Sequence, residues 1–217
     1  MRPNGLLVRA RRVGVVAAVG LLAGLGSGLF GSGVAAAATV TKTLNYTCEF
    51  PLIGPGPLSV AIKVTFPNSG VVNQPIQATG FSATVTVPAD TVDVLRLLDG
   101  ATVEGSAAAN VRVTDGAGTS QAVAIPNLNV PVTAVPPTGD MVVVASGPVP
   151  AFTVTHAGNA AINVGDFTSD LLPKKADGSL TELGPLHLDC VVDAGQNTLL
   201  TSIPVAASAP LATEPRR

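Results

Sequence analysis

Apolar and polar residues alternate through residues 44–50. Leu44, Tyr46, Cys48 and Phe50 fall on one face, with Asn45, Thr47 and Glu49 on the other. The same pattern runs through 186–192, where Leu186, Leu188, Cys190 and Val192 share a face. A period of two is that of a half-buried strand. Stretches 58–66, 79–87, 101–114 and 119–125 repeat it, and 140–146, 151–156 and 198–205 read as further strands. Pro- and Gly-rich 51–57, Asp115-Gly116-Ala117-Gly118 and the run 174–179 supply turns between them. The prolines of 126–137 predict an edge strand and loop, because proline cannot donate within a central ladder. Residues 160–172 are less regular, and Gly165-Asp166 marks a bulge there. Only 89–100 reads as a helix, with Asp90 or Thr91 as its cap and Gly100 at its end.

Nine or ten strands with turns at short intervals predict an all-β immunoglobulin-like β-sandwich with one short helix. The alternative is two smaller sandwiches. The cysteines favour one domain: they are the only two in the chain, and both lie on apolar faces. A Cys48–Cys190 disulfide across the core would tie the start of the domain to its end. Two free thiols or a redox pair is the rival reading, but the spacing is not Cys-x-x-Cys and no neighbour activates either thiol.

Composition supports this reading. Charged residues make up 12% of the 217, with 23 Gly, 18 Pro, one Tyr and no Trp. Valine and threonine, both abundant, suit pleated half-buried surfaces. Charge changes the picture once the N-terminus is considered. Arg2, Arg9, Arg11 and Arg12 precede an uncharged stretch, 13–30, and then the small residues 34–38. This is the plan of a secretory signal peptide. The expected boundaries are a signal peptide at 1–38 cut after Ala38, a β-sandwich at 39–205 and a flexible tail at 206–217. An uncleaved membrane anchor is the alternative, since the apolar run approaches spanning length. Without the leader, 8 basic residues face 14 acidic ones, a net charge of −6. An acidic, aromatic-poor domain is poorly suited to nucleic acid, and no membrane insertion is expected after removal of the leader.

Candidate chemistry is sparse. His187 lies three residues before Cys190, but residues three apart on a strand point to opposite faces, so it reads as a solvated strand residue and not a metal ligand. His156 is the other histidine. Asp166, Asp170, Asp177, Asp189 and Asp193 crowd the last third. Paired carboxylates could serve glycoside hydrolysis or hold calcium, whereas Asp177 and Asp193 suit plain turns. No nucleophile elbow or phosphate loop is present. Asn45-Tyr46-Thr47 matches a glycosylation sequon and reads as chance. Tyr46 is expected to pack beside the disulfide.

The run Tyr46-Thr47-Cys48-Glu49-Phe50-Pro51-Leu52-Ile53-Gly54 is distinctive. So are Lys175-Ala176-Asp177-Gly178, Gly184, Cys190 and Gly195-Gln196-Asn197-Thr198. Together they resemble the actinobacterial secreted family known as domain of unknown function 6801, over about residues 43–203. The resemblance implies an exported β-rich domain, brings no catalytic residues, and places that family's two cysteines on Cys48 and Cys190. The expected role is a secreted or cell-envelope structural or adhesion-like binding module, with no catalytic activity and no cofactor. Its expected partners are cell-wall or surface components. The alternative is a carrier of a lipid or other apolar ligand between the sheets, and an Asp-dependent hydrolase comes last.

Overall fold

The structure, a computed structural model, describes residues 37–208. The expected leader lies outside these residues except for Ala37 and Ala38, which open the first strand. Positions 209–217 of the expected tail lie outside as well. The described elements are β1 (Ala37–Phe50), β2 (Gly54–Pro67), β3 (Gly70–Val71), β4 (Thr79–Val87), α1 (Ala89–Leu97), β5 (Thr102–Thr114), β6 (Ser120–Ala134), β7 (Met141–Gly147), β8 (Gly158–Lys174), β9 (Leu186–Val192) and β10 (Leu199–Ala206). The all-β expectation holds, with ten strands and one short helix.

The arrangement differs from the expected two-sheet sandwich. Strand order runs β8-β5-β6-β7-β4-β2-β1-β9, and β9 pairs back onto β8, so eight antiparallel strands close into one barrel. β10 attaches to the first part of β8 and carries β3 on its far side. Closure turns on β8, the longest strand. Its first part pairs with β10 and its second with β9, through Phe167↔Cys190 to Leu171↔Leu186. Between these parts Gly165 and Asp166 stand opposite the single residue Asn110 of β5. This is the bulge expected there, and such a bulge bends a strand and lets a sheet curl. Three groups brace it. The Tyr46 hydroxyl donates to the Gly165 carbonyl at 3.1 Å, the Val192 amide donates to Asp166 Oδ1 at 2.9 Å, and Phe167 meets Tyr46 edge-on with ring centroids 4.9 Å apart.

The second seam, β1–β9, has three register pairs, Tyr46↔Val192 to Cys48↔Cys190. The Cys48–Cys190 disulfide is present, but it joins neighbouring strands of one barrel wall and does not cross between two sheets. It still ties the domain's start to its end. Beyond Tyr46↔Val192, the Gln196 side chain continues the ladder. Its Oε1 accepts from the Asn45 amide at 2.9 Å and its Nε2 donates to the Asn45 carbonyl at 2.7 Å.

Several local expectations need correction. The Ala89 amide is capped at 2.9 Å by Asp140 from a distant loop, and Pro88 occupies the N-cap without a side-chain bond, so neither Asp90 nor Thr91 caps α1. The segment 126–137 is strand and then loop as expected, but its strand part is not separate: residues 126–134 continue β6 without a break from Ser120. Pro126 and Pro131 sit at two bulges within β6, where two residues oppose one of β5. The edge character survives in part, because β6 has a full ladder with β5 but a single pair, Asn129↔Ser146, with β7. Residues 151–156 form no strand. Phe152 makes one bridge, to Ile76, and the segment crosses the end of the barrel with Val149, Phe152 and Val154 turned inward. At the opposite end, α1 packs Val92 against Val103 and Met141.

Candidate functional site

The alternation read from the sequence fills the barrel with apolar side chains. Leu58, Val60, Ile62, Val64 and Phe66 of β2 all point inward and are buried, as are Leu44, Tyr46 and Cys48 of β1 and Leu186, Leu188 and Cys190 of β9. An eight-stranded barrel has an interior just wide enough for side chains to fill or for one small ligand. Here the filling is incomplete. A cavity of about 160 Å³ runs through the interior. Its lining extends from Leu52 and Leu183 at the α1 end to Phe66 and Phe152 at the other. That volume is below the roughly 300–1,000 Å³ of drug-sized sites, and close to the roughly 150 Å³ apolar cavity that stays dry and admits benzene.

Among the described residues, no Asp, Glu, Lys, Arg or His lines the cavity. The polar residues along its lining are Tyr46, Thr91, Asn110 and Ser169, of which Asn110 is exposed. Burial pushes the Tyr46 phenol up, and the nearby Asp166 charge adds to this. Tyr46 therefore stays protonated and keeps its bond to the bulge. Ser169 is different. It lies between inward-facing Phe167 and Leu171, is 8% exposed, and has no side-chain hydrogen bond among the described residues. At the α1 end the wall is low. Leu52 and Ile53, in the β1–β2 turn, line the cavity while remaining 67% and 45% exposed.

The charged candidates lie elsewhere. Asp170 and His187 are direct cross-strand partners of β8 and β9. His187 Nδ1 stands 2.7 Å from Asp170 Oδ1 and Nε2 stands 3.5 Å from Asp189 Oδ1, all on the exposed outer face. The hydrogen bond to Asp170 is the main cause that raises the His187 pKa. His187 is exposed as expected, but ion-paired as well as solvated. The two carboxylates meet opposite edges of the imidazole, so they do not converge on a point where a metal could sit. Among the described residues, no group of three or more His, Cys, Asp or Glu could hold one.

Asp166, Asp177 and Asp193 are dispersed. Asp166 braces the bulge, Asp177 accepts from Ser179 within its turn, and Asp193 accepts from Thr47 at 2.7 Å. His156 meets Asp115, whose side chain is nearly buried at 4% exposure. Asp115 also accepts the amides of Ala117 and Thr119. The His156 bond, followed by those amides, holds its pKa below the usual carboxylate range against the effect of burial. This cluster pins the β5–β6 hairpin. Among the described residues, its imidazole presents no second nitrogen to a serine, threonine or cysteine nucleophile.

Sequence reasoning allowed an apolar ligand between sheets but named no cavity-lining residue for it, and it missed Ser169. A hydroxyl at an inward position of an otherwise apolar alternation was the available signal. A family model described as a family of unknown function (DUF6801) matches residues 45–201. No curated protein and no solved structure matches the chain significantly.

Proposed function

From the premise that the chain belongs to this family of unknown function, DUF6801, we propose that it is an extracytoplasmic carrier that encloses one small apolar molecule in its barrel, without a catalytic step. The observation that carries the reading is the uncharged cavity running from Leu52 and Leu183 to Phe66 and Phe152. A small volume whose lining reaches both ends of the barrel favours one unbranched chain over a branched or fused-ring ligand. Burial of each methylene in such a space contributes about 0.8 kcal/mol, enough for useful affinity with no charged contact. The compartment is supported by the disulfide, which persists where thiols are oxidised, and by the leader read from the sequence. Among the described residues no helix is long and apolar enough to cross a membrane. The barrel also keeps most of its apolar side chains inside, though not Val132, Val142, Val144 or Val191, and places Lys63, Ser82, Thr84 and Arg112 outward, which differs from the continuous apolar outer band of a membrane-spanning barrel.

Native mass spectrometry of the protein as purified tests the reading. The expected result is a discrete mass excess for one small apolar molecule, lost on extraction with organic solvent and regained on adding a medium-chain alcohol. A protein that is empty as purified and takes up neither alkane nor alcohol would overturn it.

The adhesion-like role is a second reading with its own footing. Val132, Val142 and Val144 stand exposed beside the β6–β7 seam, where the ladder has one residue pair. A partner strand could add to such an edge. Pull-down with cell-wall material, compared between the wild type and Val142→Lys, separates it from the carrier reading.

A further inference from the structure

We infer that the enclosed molecule is a neutral chain bearing one hydroxyl or carbonyl oxygen, and that Ser169 is the group that receives it. This rests on the carrier reading and names the ligand's chemistry. The first observation is that Ser169 is nine-tenths buried, lines the cavity and has no side-chain partner. Among the described residues Thr181 Oγ1 is the fully buried side-chain oxygen without a partner; the Ser169 hydroxyl is not sealed off in that way, and an apolar space beside it offers no partner except a ligand atom. The second is its place. Ser169 pairs with Leu188 on β9 and with Ala107 on β5, and the small Ala107 side chain leaves room beside the hydroxyl. The third is its height in the barrel. Only Leu171 and Pro173 separate it from the α1 end of β8, where Leu52 and Ile53 form the low wall. A chain entering there tail-first leaves its polar atom level with Ser169 and its methylenes against Val60, Ile62 and Ile162 below.

The charge of the ligand follows from the lining. With no cationic side chain on the cavity wall among the described residues, a carboxylate placed beside one serine would be stripped of water and left unpaired, which is strongly unfavourable. The Ser169 hydroxyl can donate to a carbonyl or ether oxygen, or donate to and accept from an alcohol. Alcohols, aldehydes and esters therefore fit, whereas free fatty acids at neutral pH and plain alkanes fit less well.

The test is a binding series with octane, octanol, octanal and octanoate at pH 7.5, followed at the Ile162 methyl resonances of the full domain. It uses the wild type, Ser169→Ala and Ser169→Thr. Octanol and octanal are expected to bind about three- to tenfold more tightly than octane, the range of one net hydrogen bond. Octanoate is expected to bind at least about 100-fold more weakly than octanol. Ser169→Ala should erase the preference for octanol without weakening octane, and Ser169→Thr should keep it. An undiminished preference in Ser169→Ala, or octanoate binding as tightly as octanol, would overturn the inference while leaving a chain-carrying barrel intact. If neither octane nor octanol binds any form, the inference and the carrier reading both fall.

Discussion

Reducing the Cys48–Cys190 bond should loosen one seam of the barrel before the rest. The two residues are 142 apart in sequence, so the crosslink removes the freedom of a very long loop from the unfolded chain. In the chain-entropy treatment that is worth about 5 kcal/mol at 25 °C. For a domain of this size each kcal/mol moves the melting temperature by about 2–4 °C, so a loss of about 10–20 °C is expected. Both sulfurs are fully buried, so reduction requires unfolding the protein with reductant and refolding it under the same conditions. The Cys48→Ala/Cys190→Ala protein should lose slightly more, because it also opens a cavity. The structure adds a spatial signature. The bond lies in a seam of three register pairs, whereas β5 and β8 pair along most of their length. Amide exchange should therefore accelerate in β9 and the second half of β1 on reduction, with β5 amides retaining most of their protection. A fall below about 1 kcal/mol, or loss of protection spread evenly over the barrel, would refute the reasoning that this crosslink holds a weak seam.

Other expectations follow from the same geometry. Gln196→Glu should lower stability by about 1–2 kcal/mol in thermal melts, because it loses the donor to the Asn45 carbonyl and sets a carboxylate against it; an unchanged melting temperature would show that the side chain does not continue the ladder. His187 should titrate above the ordinary value of 6.5 by NMR, because Asp170 favours its charged form. A raised folded-state pKa means that its contribution to stability is complete below the unfolded pKa and is lost as pH rises through the folded one. Asp170→Asn should bring the His187 midpoint down and flatten that dependence. Filling the cavity with Ala107→Leu should abolish uptake of octanol while the domain still melts cooperatively; retained binding would place the ligand elsewhere.

Much of this fold was legible in the sequence because alternation reports which face of a strand is buried. The inward sets of β1, β2 and β9 and the shared face of the two cysteines were readable for that reason. What the inward faces pack against was not. A sandwich and a barrel carry the same alternation, and the difference lies in whether the last strand returns to an earlier one. Here that return depends on a two-residue bulge at Gly165-Asp166 and on Tyr46 satisfying the carbonyl it exposes. The bulge was readable, but its partner 119 residues away was not. Pro126 and Pro131 misled because bulges within β6 absorb them. Residues 151–156 misled because their inward side chains mimic a strand while their backbone joins no ladder. The cavity was invisible because composition fixes how apolar an interior is and not how completely it is filled.

The account rests on an apolar space inside a closed barrel that admits a chain. The most direct measurement is a set of isotope-filtered NOEs between labelled octanol and the protein's methyl groups. The account predicts contacts from the octanol methylenes to the inward methyls of Val60, Ile62 and Ile162, and from its hydroxyl-bearing carbon to the protons of Ser169. Contacts confined to outward methyls such as those of Val142 and Val144, with none to the interior, would contradict it.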